Sequence, residues 1–425
     1  LQAFAGSTLL ALFFVAGPVL ARDEDIAALE ARVAELETMV QRLVVAQRAA
    51  HERERADEPE SELADSGSST SYAFGGYVKL DGMFSDYSGG DPAPSSAIRQ
   101  FYIPAKIPVG GAPSDGPGAD FQARETRINF RSDHELANGK SASTYVEMDF
   151  FLSPGGNERV SNSFNPRLRH AFFKYDNWLF GQTWSTFQDV GALPENLDFI
   201  GPSESTVFVR QAQVRLTSGN WEFAAENPET TITPFGGGER LVSDDGGMPD
   251  LVTRYTARLD NGHVKAAALF RQLAYKTGAF DDSKTAYGFS ISGKHNFGQD
   301  DLRWMATVGS GTGRYLGLNT ANGAVLDSTG QLEAIDQWGA FVSYRHFWSD
   351  QWRSNFTYGY LSNDHDVALT GGGVTRDVYS IHVNLLHSPT PKMTVGGEIL
   401  FADRRLESNL SGDMTRLLLS AKYAF

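Results

Sequence analysis

Arginine is the commonest charge wherever this sequence alternates between apolar and polar residues. Arg127, Arg215, Arg254, Arg258, Arg271, Arg303, Arg345, Arg353 and Arg416 all stand on the parity opposite an apolar run. A guanidinium is a rigid fork of donors that grips a carboxylate through two parallel bonds and keeps its charge at physiological pH. A row of such forks is chemistry for attracting and releasing an anion. The hairpin around Asn261-Gly262 sharpens the expectation. If those two residues make the tight turn that Asn-Gly favours, Asp260 pairs with His263, Arg258 faces Lys265, and Arg271 lies diagonal to Arg254. Like charges directly opposed on a sheet are destabilising, so an anion bound between them accounts for the strip. The alternative is neutralisation by Glu125, Glu147, Asp149 or Glu398 from other strands. In "NPRLRHAFFKYD" both parities are mixed. The pattern there leaves open whether Arg167 and Arg169 or His170 and Lys174 turn to the polar side; Arg169 is counted with the arginine path.

The elements that position these residues have a period of two. "STYVEMDFFL" opposes Thr144, Val146, Met148 and Phe150 to Tyr145, Glu147 and Asp149, and "DLRWMATV" sets Leu302, Trp304, Ala306 and Val308 against Arg303 and Thr307. About sixteen such segments run from 72 to 425, each about ten residues long, the length a tilted strand needs to cross a bilayer. Short turns at 138–140, 260–262 and 349–351 interleave with long Gly-, Asp- and Pro-rich loops, the longest at 86–120 and 310–334. That rhythm predicts an all-β, 16-stranded antiparallel transmembrane barrel. Trp178, Trp221, Phe297, Phe347, Trp348 and Trp352 sit beside the short turns, as an interfacial girdle requires. The final strand "TRLLLSAKYAF" puts Leu417, Leu419, Tyr423 and Phe425 on one face. Closure against the first strand covers that edge, and Tyr423 and Phe425 resemble the signal by which the barrel-insertion machinery recognises outer-membrane proteins.

Ahead of the barrel, residues 1–21 read as a secretion signal truncated at its start. Residues 22–50 follow as a periplasmic coiled coil, with Ile26, Leu29, Val33, Leu36, Val40 and Leu43 spaced as an a/d seam. Arg32 and Glu37 complete a pattern that specifies trimers. Residues 51–71 form a charged, then Ser/Gly-rich linker, and 72–425 the barrel. The absence of Cys excludes disulfides, zinc-thiolate sites and thiol nucleophiles. A net charge of -15 excludes a general nucleic-acid binder. Of that charge, 13 acids and 6 Arg in residues 22–70 contribute -7, leaving -8 to the barrel, much of it in loops. Local field, rather than net charge, steers a permeant ion.

Between the fifth and sixth strands a loop of about 20 residues carries Asp189, Glu195, Asp198 and Glu204. Folded inward, it narrows the pore and opposes acids to the wall arginines. The motifs "ARETRINFR", "STYVEMDFF", "PRLRHAFF" and "GQTWSTFQD" resemble the DcaP-like trimeric outer-membrane porins over nearly the whole mature chain. The resemblance implies a trimer, uptake of small dicarboxylates and other organic anions, and a periplasmic N-terminal coiled coil. A homotrimer in contact with outer-membrane lipid and lipopolysaccharide is expected, with no cofactor or metal. Two rivals remain: a tether between outer membrane and cell wall, and a barrel enzyme built on His170, His382 or His387.

Overall fold

A computed structural model of the protein describes residues 69–278 and 280–425. The expected signal, the a/d seam from Ile26 to Leu43 and all but the end of the linker lie outside the described residues. The described chain forms a barrel of sixteen antiparallel strands. The first eight are β1 (Thr70–Tyr87), β2 in two pieces (Gly118–Gln122 and Arg127–Glu135), β3 (Ser141–Asp149), β4 (Arg167–Tyr175), β5 (Trp178–Trp184), β6 (Arg210–Ser218), β7 (Trp221–Glu226) and β8 (Asp250–Leu259). The rest are β9 (Gly262–Lys276), β10 (Asp281–Phe297), β11 (Asp300–Ser310), β12 (Asp336–Phe347), β13 (Trp352–Asp364), β14 (Thr375–Thr390), β15 (Met393–Leu406) and β16 (Ser411–Ala424). One edge of β1 pairs with β16, from Tyr77↔Ala424 to Tyr87↔Met414, and the other with both pieces of β2. The sheet thus returns on itself, which leaves no edge to satisfy in lipid.

Burial is inverted relative to a water-soluble sheet. Phe289, Ile399 and Leu419 are about half exposed on the outer wall, whereas Asp149, Asn355 and Arg416 are fully buried. Alternation dictates this result, because each strand turns its apolar parity to lipid and its polar parity to the lumen. Trp178, Trp221, Phe297, Trp348 and Trp352 are exposed beside the short turns, Trp352 stacking on His387 at 4.3 Å. Tyr423 and Phe425 are exposed too, and Phe425 stacks on Phe74 at 6.0 Å.

The lumen is partly filled by three loops from the long-loop side. Residues 88–117 bring Ile98, Tyr102 and Ile107 against Leu400, Ala402 and Met414. Residues 185–209 run across the interior. Residues 311–326, expected only as part of an outer loop, are almost wholly buried and lay Tyr315 and Leu316 against Phe187, Val207, Met305 and Phe341. The two latter loops join where Gly317 donates to the Thr206 carbonyl at 3.2 Å. Gly317 has φ +63, and a Cβ there would stand 2.6 Å from the Glu204 carbonyl oxygen, so both backbone angle and space call for glycine. A short four-stranded sheet, Thr230–Thr233, Leu241–Ser243, Ala324–Leu326 and Leu332–Ala334, ties the 311–335 and 227–249 loops together.

Candidate functional site

The loop at 185–209 is held inward by its own acids. Asp189 accepts from His263 Nε2 at 2.8 Å, Lys265 Nζ at 2.7 Å and Ser292 Oγ at 2.9 Å. Glu195 accepts from Arg345 Nη1 at 2.9 Å and Arg353 Nε at 2.8 Å. Asp198 accepts the Tyr102 N–H at 2.8 Å and lies 3.8 Å from Arg416 Nη1. Glu204 accepts from Ser380 Oγ at 2.7 Å. The wall answers with Glu398, which accepts the Leu197 N–H at 2.7 Å. Gly359 makes room, since a Cβ there would stand 2.2 Å from Glu204 Oε1. All four acids expected in a constriction therefore reach the wall, but as bonded anchors rather than as one side of an open field.

The anchors differ in protonation. Burial pushes the Asp189 carboxyl up, but the His263 hydrogen bond and the Lys265 charge outweigh it and hold the group below the usual carboxylate range. Burial likewise opposes ionisation of Glu195, and Arg353 and Arg345 together bring it below its ordinary value. At Asp198 and Glu204 burial prevails, and both carboxyls are pushed up despite Arg416 near the first and the Ser380 bond on the second.

The expected Arg254–Arg258–Lys265–Arg271 strip is corrected by the register. Leu259 pairs with Gly262, so Asp260 and Asn261 form the two-residue turn, and Arg258 faces His263 while Lys265 faces Thr256. The Gly262 backbone packs on β10, where a Cβ would stand 1.8 Å from the Lys294 carbonyl oxygen, so this glycine serves the ladder and not the turn. Arg254 is four residues from the position facing Arg271 and is not its diagonal neighbour. Three of the four cations already hold a carboxylate. Arg254 donates to Glu222 through Nε at 2.7 Å, Lys265 to Asp189, and Arg271 to Asp250 at 3.2 Å. Arg258 donates to Asn220 Oδ1 at 2.9 Å at the short-turn rim. The neutralising acids are Glu222 and Asp250 from the wall and Asp189 from the inward loop, in place of the Glu125, Glu147, Asp149 or Glu398 expected from other strands. Arg215 lies 3.5 Å from Glu222, Arg303 donates to Asp301 at 2.8 Å, and Arg345 shares Glu195 and Asp301.

A different arginine cluster lines the space that remains. A β-bulge explains the mixed parity of β4: Glu147 pairs with His170 and Met148 with Leu168, so Arg169 is an extra residue. The parity flips there, and Arg167, Arg169 and His170 all reach lumen partners while Leu168 is exposed outward. Between this wall and the inward loop lies a cavity of about 400 Å³ lined by Arg127, Tyr145, Glu147, Arg169, Trp184 and Phe199, among others. Arg169 donates to Glu147 at 2.7 Å and Asp149 at 2.8 Å, and Arg167 to Asp149 at 2.9 Å. Arg127 lies 3.5 Å from Glu147 without a hydrogen bond to it, its guanidinium 5.2 Å from the Tyr77 ring. Arg210 rests over Trp184 at 4.5 Å, with no ion-pair partner among the described residues. Three guanidiniums, Arg127, Arg167 and Arg169, thus face two carboxylates, Glu147 and Asp149. Arg210 escaped sequence reasoning because it stands at a strand end on the outward parity; Glu222 was legible as the polar-parity acid of β7.

Ser380 Oγ, His382 Nε2 and Glu398 have the spacing of a nucleophile, base and carboxylate, with contacts of 3.1 Å and 3.1 Å. Ser380 and His382 are fully buried, and the serine proton is committed to Glu204. A nucleophile needs its proton aimed at the base and a path for substrate. Here the group anchors the loop.

With this geometry in view, comparisons with known proteins place the chain. No curated protein sequence matches significantly. The outer membrane channel DcaP of Acinetobacter baumannii shares the fold with a TM-score of 0.69 at 22% identity, over 85% of this chain and 99% of that one. Salmonella typhi OmpF, solved in complex with daunomycin, gives 0.52 at 12% identity over 85% and 99%. A loop-deleted OmpT, an outer membrane protein of Vibrio cholerae, gives 0.51 at 12% identity over 84% and 99%. The family description "DcaP outer membrane protein" matches residues 60–425, and the chain belongs to that family of outer-membrane barrel channels.

Proposed function

We propose that the protein is a diffusion channel for small organic anions, dicarboxylates among them, whose narrow part runs between the 185–209 loop and the β2–β5 wall. The carrying observation is the cluster of three guanidiniums, Arg127, Arg167 and Arg169, around Glu147 and Asp149, in which Arg127 has no hydrogen-bonded carboxylate. A surplus of fixed positive charge in a confined lumen enriches anions and depletes cations. A fork such as that of Arg127 binds carboxylate bidentately, and weak, multiple contacts allow release. Aromatic faces at Trp184 and Phe199 line the same space. Reversal potential of the purified protein in a planar bilayer under a KCl gradient tests this: the sign must report anion preference, and cation preference refutes it.

A homotrimer fits the wall height. Strands β3 to β7 hold 9, 9, 7, 9 and 6 residues. Tilted by about 45°, such strands climb roughly 14–21 Å, short of the apolar band of about 25 Å. A second copy covering that low wall accounts for the difference. Mass measurement in mild detergent decides, and a monomer counts against it.

A further inference from the structure

Part of the inner wall breaks the rule that the lumen parity of a channel barrel is polar. Across β8–β13 that parity carries Val252, Leu269, Leu273, Met305, Phe341 and Leu361, each at most 3% exposed. Their strand neighbours Leu251, Phe270 and Val342 are exposed on the outer face, so these strands have not turned round. An apolar inner wall is stable only under a cover that keeps water off it.

The 311–326 loop supplies that cover, with the 185–209 loop beside it. Tyr315 and Leu316 pack in one cluster with Val252, Leu269, Met305, Phe341 and Leu361, and Ala324 and Leu326 pack in another with Leu273. Gly288 stands across the ladder from Leu269 and leaves a seat for both loops: a Cβ there would lie 3.1 Å from Thr312 Cγ2 and 3.2 Å from Phe187 Cζ. Polar clamps fix the loop along its length. Arg271, 1% exposed, donates through Nη1 to the Thr312 carbonyl at 3.3 Å and through Nε to Asp250 at 3.2 Å. Asp250 also accepts from Tyr315 Oη at 2.9 Å and from Arg314 Nη2 at 3.1 Å. Gln337 Oε1 accepts the Gly313 N–H at 3.0 Å, and Gly323 N–H donates to the Thr231 carbonyl at 2.9 Å. An arginine committed in this way positions the loop rather than a permeant anion.

We infer that residues 311–326 are a fixed plug, clamped by Arg271, that closes the β8–β13 side of the lumen and so sets the size limit for a solute. The inference rests on the channel reading above and names what confines its path. A segment held by buried apolar contacts and by buried hydrogen bonds opens rarely, so it does not step aside for each passing solute. Solute then crosses only on the other side of the inward loop, along β2–β5, and bulky anions are turned away by space before charge can select them.

The test uses the full-length chain, whose lack of cysteine makes a single introduced thiol unambiguous. Leu269→Cys and Leu273→Cys place a smaller side chain under the plug, and Ser143→Cys lies two residues from the cavity-lining Tyr145 on the same strand face. Hydroxyethyl methanethiosulfonate, small, neutral and water-soluble, is added to folded protein in mild detergent, and labelling is followed by mass. Ser143→Cys should label freely and the two plug positions at least about tenfold more slowly, because a thiol under a packed loop reacts only when the loop opens. Labelling of either plug position as fast as Ser143→Cys overturns the inference. This readout needs no current, so its failure is distinct from a failure of anion preference in the reversal-potential measurement. Arg271→Gln in the Leu269→Cys background should speed labelling, and in planar bilayers Arg271→Gln should raise single-channel conductance and admit larger polyethylene glycols; Arg271→Lys, which keeps a charged donor, should restore the slower rate in part. A folded Gln variant with the parent's labelling rate and polymer cut-off overturns the clamp, and where that variant does not fold the rates at Leu269→Cys and Leu273→Cys decide alone.

Discussion

Replacing Arg127 with Gln removes one of three guanidiniums around Glu147 and Asp149 beside the lumen cavity. The fold should hold, since Glu147 keeps its 2.7 Å bond from Arg169 and Arg127 gives it none. For an ion passing about 7 Å from the guanidinium, a unit charge in water is worth about 0.6 kcal/mol. The effect has opposite sign for anion and cation, so their ratio shifts by about 1.2 kcal/mol, or about sevenfold. Screening at about 0.1 M salt roughly halves the energy, which brackets the loss of anion-over-cation preference at about three- to sevenfold. Reversal potential in a salt gradient reads this ratio directly. Arg127→Lys keeps the charge and should keep most of the preference, although it loses the fork. An unchanged reversal potential in Arg127→Gln, or a Lys variant as poor as the Gln variant, refutes the reasoning.

The other expectations concern the inward loop. Glu195→Gln leaves Arg353 facing a neutral amide; thermal stability should fall by about 1–3 kcal/mol, discounted for partial exposure, and open-channel noise should rise. Equal melting and equal noise would count against Glu195 as an anchor. Gly359→Ala places a Cβ 2.2 Å from Glu204 Oε1 and 2.7 Å from Pro202 Cβ. Overpacking of this kind costs about 1–3 kcal/mol and should change single-channel conductance by displacing the loop, whereas parental conductance and melting would show that the wall needs no gap there. The loop's two ends should answer pH with opposite sign. Asp189 and Glu195, held below their ordinary values, stabilise fully above about pH 4 and lose that contribution as pH falls. Asp198 and Glu204, pushed up, cost stability as pH rises through their folded values, and acid relieves that cost. Hydrogen exchange at low pH should therefore loosen the 189–195 end before the 198–205 end; the reverse order would contradict the sign.

The barrel was legible because its determinants are local. A strand that must present lipid on one side and water on the other writes a period of two, and about ten residues per crossing follow from bilayer thickness. Sixteen segments, the short-long loop rhythm and the exposed Trp178, Trp221 and Trp352 all belong to that class. The acids of the 185–209 loop were legible as residues, since a loop with four carboxylates opposite lumen arginines has an electrostatic reason to fold inward.

What the tertiary structure alone decided is which charge meets which. Shifting the hairpin turn by one residue, from Asn261-Gly262 to Asp260-Asn261, re-pairs every position of β8 with β9 and separates Arg258 from Lys265. Turn propensity favours the first by a small margin, and the packing of Gly262 against the Lys294 carbonyl outweighs it. The bulge at Arg169 is likewise invisible to a period-two reading, because it is a fault in the period itself. Pairings such as Arg254 with Glu222, or Asp189 with Lys265 across 76 residues of sequence, depend on register and on a loop's path through the lumen. Alternation fixes the face on which a side chain stands; only closure of the barrel and docking of its loops fix the partner that stands beside it.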